Sequence, residues 1–142
     1  MKLESFCEED TFNIGKDVAM NAKPGSVYCL DGELGGGKTI FTKGFAKGLG
    51  IEDCITSPTF TIVQEYEEGR LPFYHFDVYR IADAYEMYEI GFEEYINGEG
   101  ICLIEWASLI EDILPEDIIR INIAKDLDKG IDYRVVNVEG ME

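Results

Sequence analysis

Gly32-Glu33-Leu34-Gly35-Gly36-Gly37-Lys38-Thr39 decides the reading of this chain. Its spacing, G-x-x-x-x-G-K-T, is that of a phosphate-binding loop, and each fixed position has a chemical role. The glycines let the backbone wind so that successive N–H groups face phosphate oxygens. The lysine supplies a positive charge at the β- and γ-phosphates, and the threonine hydroxyl ligates Mg²⁺. A chance match in a chain of ordinary composition has odds on the order of one in a hundred or less. The flanks fit as well. Val27-Tyr28-Cys29-Leu30 is a short apolar run of strand formers, and Phe41, Phe45 and Leu49 recur at helical spacing. Strand, glycine-rich turn and helix place a helix N-terminus, with its partial positive charge, against the anion.

Outward from the loop, a first helix is expected from Asp10 as cap, carrying Ile14, Val18, Ala19 and Ala22 and ending before Pro24-Gly25. Gly48 and Gly50 close the loop helix. Residues 59–66 and 71–79, joined across 67–70, predict a β-hairpin. Residues 82–94 have the composition of a helix with an acidic face. The compact apolar run at 100–105 predicts a strand buried on both faces, followed by a short helix at 107–113. Residues 117–124 and 133–138 predict a second hairpin around Lys129-Gly130. No repeat, linker or low-complexity stretch divides the sequence. The expectation is one P-loop NTPase-like α/β domain over residues 1–142, its mixed sheet parallel at the centre, edged by antiparallel hairpins and flanked by helices.

The bulk properties bound the function. A chain of 142 residues with 46% apolar content is large enough to bury about two-thirds of its unfolded surface. It carries no apolar run of membrane-spanning length and no signal-like start, so a cytoplasmic protein is expected. Cys7, Cys29, Cys54 and Cys102 are scattered without metal-site spacing. Cys29 and Cys102 fall in strand-like runs and are expected as buried free thiols. The single histidine, His75, gives no basis for a metal site. A net charge of −17, from 29 acidic and 12 basic residues, argues against direct primary binding of tRNA or any other nucleic acid. It is compatible with a basic protein partner, and it requires that an ATP pocket be made locally positive.

The loop needs a carboxylate on a neighbouring strand to orient Mg²⁺ and its waters. Glu105, at the end of 101–104, is the best placed, because ligands of open parallel sheets lie beyond the strand C-termini; a surface glutamate is the bland alternative. Asp77 is the second. Strand alternation puts His75, Asp77 and Tyr79 on one face, and a desolvated Asp77 is able to position an attacking water, although an exposed hairpin aspartate fits the pattern equally. Thr56-Ser57-Pro58-Thr59 is either a switch-like hydroxyl segment or a simple turn.

With these residues in place, the chain closely resembles the bacterial TsaE (YjeE) family, the small P-loop ATPases of tRNA N6-threonylcarbamoyladenosine synthesis. The resemblance runs from Thr11 to about Val138. It is carried by the loop itself, by Thr56-Ser-Pro-Thr-Phe60, His75-Phe-Asp-Val-Tyr-Arg80, Gly91-Phe-Glu-Glu-Tyr95 and Glu105-Trp106, in order. It implies Mg²⁺–ATP binding by Gly32, Leu34, Gly35, Gly36, Gly37, Lys38, Thr39 and Ile40, with Thr39 and Glu105 at the metal. Asp77 matches the aspartate that the family requires, Ser57 and Thr59 its switch-like loop, and Trp106 its tryptophan after the acidic residue. Thr11 and Arg134 are implied as flanking the nucleotide. The implied partners are TsaD and TsaB, and ATP hydrolysis is implied to reset that complex rather than to perform the transfer. No certain arginine finger is visible: Arg80 is nearest in cis, and a partner is the other source, so slow hydrolysis by the isolated chain is expected. Three other readings stay open. A small-molecule kinase lacks an Arg-rich lid here, a GTPase lacks the Asn-Lys-x-Asp motif, and a nucleotide-gated docking module would hydrolyse little.

Overall fold

The computed structural model describes residues 1–32, 37–52, 55–58 and 60–140. Leu34, Gly35, Gly36 and Thr59, for which nucleotide contacts are expected, lie outside the described residues, as does Cys54.

The apolar run before the loop forms β2 (Val27–Gly32), after β1 (Lys2–Ser5) and α1 (Glu8–Met20). The loop helix is α2 (Lys38–Gly48). The first hairpin is β3 (Val63–Tyr66) with β4 (Phe73–Asp77). Two short helices, α3 (Glu86–Glu89) and α4 (Phe92–Asn97), lead into β5 (Ile101–Glu105). A 3₁₀ turn (Ala107–Ile113) then precedes the second hairpin, β6 (Ile118–Lys125) and β7 (Arg134–Glu139). The seven strands form one sheet in the order β1-β7-β6-β2-β5-β4-β3. β6, β2, β5 and β4 are mutually parallel, and the pairings β3–β4, β6–β7 and β1–β7 are antiparallel. This is the parallel centre edged by hairpins that the pattern predicts.

Alternation assigns the central strands to two cores. Tyr28 and Leu30 of β2, Phe73 of β4, and Ile101 and Leu103 of β5 point toward α1 and α2, where Phe41 and Phe45 are fully buried. Val27, Cys29, Phe76, Cys102 and Ile104 face the other layer with Met87, Phe92 and Ile110. Both faces of β2 and β5 are therefore covered, which is why their sequences read as unbroken apolar runs. Burial pushes the Cys29 and Cys102 thiols up to about 12.

The outer elements depart from the expectations in instructive ways. The cap of α1 is Cys7, and Asp10 lies in the first turn, where its carboxylate accepts from the Phe6 N–H at 3.0 Å. The expected helix over 82–94 is two helices, because Gly91 adopts φ 83° and starts a new one. Gly50 (φ 85°) ends the turn after α2. Gly48 serves packing instead, since an added Cβ there would fall 2.3 Å from the Lys16 carbonyl oxygen of α1. The strand β1 has no counterpart among the sequence-based expectations.

Candidate nucleotide site

The carboxyl ends of β2, β4 and β5 lie side by side, and the chain passes from β5 to β6 on the opposite side of β2. That reversal opens a crevice above the central strand, the usual ligand position of open α/β sheets. Residues pointing toward α2 are apolar low in the sheet and polar at this edge. β4 runs Phe73, His75, Asp77 on that face, and β5 runs Ile101, Leu103, Glu105. Register pairs Asp77 directly with Glu105. The first residue of α2, Lys38, stands over the same edge.

The resulting cavity has a volume of about 410 Å³ and is lined by Thr11, Gly37, Lys38, Thr39, Ile40, Ser57, Asp77, Glu105 and Arg134, nine of the expected site residues. Gly32 ends β2 beneath it. An added Cβ at Gly32 would sit 2.7 Å from the Ile123 carbonyl oxygen, so the strand passes too close to β6 for a side chain. Gly37, the cap of α2, has φ 104°, a left-handed conformation natural to glycine. The Lys38 amine lies 3.9 Å from Glu105 Oε1 and 5.0 Å from the centre of the Trp106 ring. Trp106 itself has φ 63° and meets Tyr79 at 4.8 Å.

Asp77 is 9% exposed, which excludes the surface-aspartate alternative. Its Oδ1 accepts from the Tyr79 N–H at 3.0 Å, and its own N–H donates to the Ile62 carbonyl at 2.8 Å. Ile62 is left-handed too, with φ 72°. A non-glycine residue held there is a local strain of the sort found beside functional groups. Against Gly37, α1 brings in Thr11, whose methyl group would lie 3.6 Å from a Cβ added at that glycine and whose hydroxyl shares a 2.7 Å bond with Ser5. Arg134 from β7 donates to the carbonyls of Ile131 and Tyr133 at 2.9 and 2.7 Å.

Five lining residues were given no role in the sequence-based site: Glu8, Thr42, Ile55, His75 and Asp132. Alternation alone places His75 on the Asp77 face. Its bond to Glu105, 2.8 Å from Nε2 to Oε2, exists only through the β4–β5 pairing. Thr42 donates to the Lys38 carbonyl at 2.8 Å, a turn into α2. Just outside, Asp31 at the end of β2 has its carboxyl pushed up by burial, against the pull of Arg120 and Lys38.

The lining suits a phosphate ligand together with a hard cation. Glu8, Asp77, Glu105 and Asp132 face two cationic groups, Lys38 and Arg134, so a highly charged anion needs a counter-cation here. Among the described residues no group of three or more His, Cys, Asp or Glu side chains is arranged to hold a metal ion. Mg²⁺ suits such a place, since it keeps several waters and takes one or two protein ligands plus phosphate oxygens.

The family model described as "Threonylcarbamoyl adenosine biosynthesis protein TsaE" matches residues 6–134. The chain belongs to the TsaE family. A Bacillus subtilis (strain 168) protein named as tRNA threonylcarbamoyladenosine biosynthesis protein TsaE is 49% identical over 138 residues, 96% of this chain and 86% of its relative. The Treponema pallidum (strain Nichols) protein of the same name is 44% identical over 123 residues, covering 87% and 90% of the two chains. A crystal structure of Bacillus subtilis YdiB superposes with a TM-score of 0.78 at 46% identity, covering 96% of this chain and 82% of that one. Membership puts the chain in a family of tRNA threonylcarbamoyladenosine biosynthesis. Among the described residues, no helix is long and apolar enough to cross a membrane.

Proposed function

We propose that this TsaE-family chain is a single cytoplasmic P-loop ATPase domain that binds Mg²⁺–ATP in the cavity and hydrolyses it. In this reading it works slowly alone and faster against TsaD and TsaB, resetting that complex between rounds of adenosine-37 modification of tRNA. The observation that carries the reading is the convergence of Lys38, Asp77 and Glu105 at one sheet edge beneath the start of α2.

Lys38 would contact the β- and γ-phosphates. At 4 Å and an effective dielectric near 20, one such charge is worth about 4 kcal/mol. Thr39 and Glu105 would hold Mg²⁺, whose charge would offset that of the phosphates. Asp77, tied through its backbone and Oδ1, would accept a bond from the attacking water and orient it in line. Thr11 and Arg134, both close to Gly37, would flank the nucleotide. Hydrolysis needs no phosphate acceptor beyond water, which accords with the absence of an Arg-rich lid from the sequence.

The test is steady-state ATP hydrolysis with Mg²⁺, with and without a purified TsaD–TsaB pair, with Lys38→Ala as control. Partner-stimulated turnover lost in the control supports the reading; background turnover with partners present sinks it. A nucleotide-gated docking module is the second reading. It is favoured by the exposed aromatic groups beside the site, Phe60 under the Arg80 guanidinium at 4.6 Å and Tyr79 against Trp106. Asp77→Asn separates the two: it should abolish turnover in the first and leave partner docking intact in the second.

A further inference from the structure

We infer that His75 is a positioning residue that fixes the Glu105 carboxylate, presenting one oxygen toward Lys38 and the cation while the other is held in the sheet. This inference rests on the Mg²⁺–ATP reading above and deepens it.

The side chain is 3% exposed and its ring lies nearly parallel to Phe73, 8° between planes at 6.1 Å. Burial and the Phe73 ring thus confine the imidazole plane. Nε2 is 2.8 Å from Glu105 Oε2, and Oε1 of the same carboxylate is 3.9 Å from the Lys38 amine. The two oxygens are divided between an anchor and a working edge. Nδ1 is buried, with no hydrogen-bond partner among the described residues.

These facts select a tautomer. A carboxylate is an acceptor, so Nε2 must carry a proton to meet it in a charge-assisted bond. The opposite neutral tautomer would aim an Nε2 lone pair at the carboxylate and bury an Nδ1–H with no acceptor. The neutral Nε2–H form leaves only a lone pair unmet. A leucine or phenylalanine would fill this core position equally well but would strip Glu105 Oε2 of its 2.8 Å partner, so what the imidazole adds beyond packing is its hold on that carboxylate. Such groups customarily anchor a ligand carboxylate. Outer-shell hydrogen bonds of this kind fix ligand orientation, and losing one costs about 10–100-fold in metal affinity.

Two measurements test this. His75 is the only histidine of the chain, so the ¹⁵N imidazole spectrum of the nucleotide-free protein is unambiguous. It should show the Nε2–H tautomer, with the Nε2–H signal displaced in Glu105→Ala. An Nδ1–H tautomer overturns the inference. Calorimetric ATP binding, with Mg²⁺ and with chelator, is then compared across variants. His75→Leu should keep its Mg²⁺-free affinity within about twofold and lose about tenfold or more of the gain that Mg²⁺ confers. His75→Gln, whose amide nitrogen reaches the Nε2 position, should recover most of it. Should His75→Leu not fold, His75→Asn takes its place, since its amide reaches only the Nδ1 position. Full retention of the gain in the loss variant, or no recovery in His75→Gln, overturns the role of His75 alone. No Mg²⁺ gain in the unmodified chain overturns the Mg²⁺–ATP reading and this inference with it.

Discussion

Lys38 sets one amine between the Glu105 carboxylate and the Trp106 ring. Lys38→Ala is expected to weaken Mg²⁺–ATP binding by more than about 100-fold, on the few kcal/mol that a phosphate charge contact supplies. The nucleotide-free melting temperature should move by only a few degrees; calorimetry and a thermal scan on the same sample check both. The cysteines make a second residue-scale test. Cys7 is exposed, whereas Cys29 and Cys102 are buried with thiols pushed up to about 12. Because the thiolate is the reactive form, a maleimide should label Cys7 in the native protein within minutes and reach Cys29 and Cys102 only after urea unfolding, as mass spectrometry of the digests would report. Much at this scale was legible in the sequence. The G-x-x-x-x-G-K-T spacing named Gly37, Lys38 and Thr39, and the strand-end rule named Glu105. His75 was not, because a lone histidine in a strand has no spacing to read. Its partner lies 30 residues away, and only register brings them together.

Between elements, the decisive contact is the crossing of α1 and α2. An added Cβ at Gly44 would lie 1.9 Å from the Phe12 carbonyl oxygen, and at Gly15 2.3 Å from that of Phe41. The two backbones touch where side chains would normally separate them. Gly44→Ala must therefore push the helices apart, and about 3 kcal/mol of destabilisation is expected, the upper end for overpacking. Urea unfolding measures that. The same displacement would move Thr11 away from Gly37, so nucleotide affinity should fall together with stability. These glycines carried no signal in the sequence, since a glycine within a helical pattern looks like a weak helix former and not like a contact. The central strands were legible because burial on both faces leaves an apolar run. The region over 82–94 was not, since its composition suits a helix while the backbone reversal at Gly91 breaks it in two. The four residues of β1 offer too short a pattern to register, and they are held by pairing with β7.

Across the whole molecule the charge of −17 sets the response to solution conditions. Self-repulsion opposes the compact state and salt screens it. Raising NaCl from about 20 to about 200 mM, which shortens the screening length severalfold, should therefore raise the melting temperature. Asp31 adds a pH dependence of definite sign. Burial raises its carboxyl in the folded chain, so between the unfolded and folded values the native state binds more protons and stability falls as pH rises. That loss is complete above the folded value and absent below the unfolded one. Asp31→Asn is expected to be the more stable protein at pH 7, with its advantage shrinking in acid, as paired melts across a pH series would show.

Trp106 is the sole tryptophan of the chain, and it sits 5.0 Å from the amine that would meet the phosphates. The molecule thus carries its own optical reporter. Its entire indole emission arises at one wall of the cavity, with no background from elsewhere in the fold. Occupancy of the site, and the order in which cation, nucleotide and protein partner arrive, should be readable in real time from unlabelled protein by the colour and intensity of a single ring.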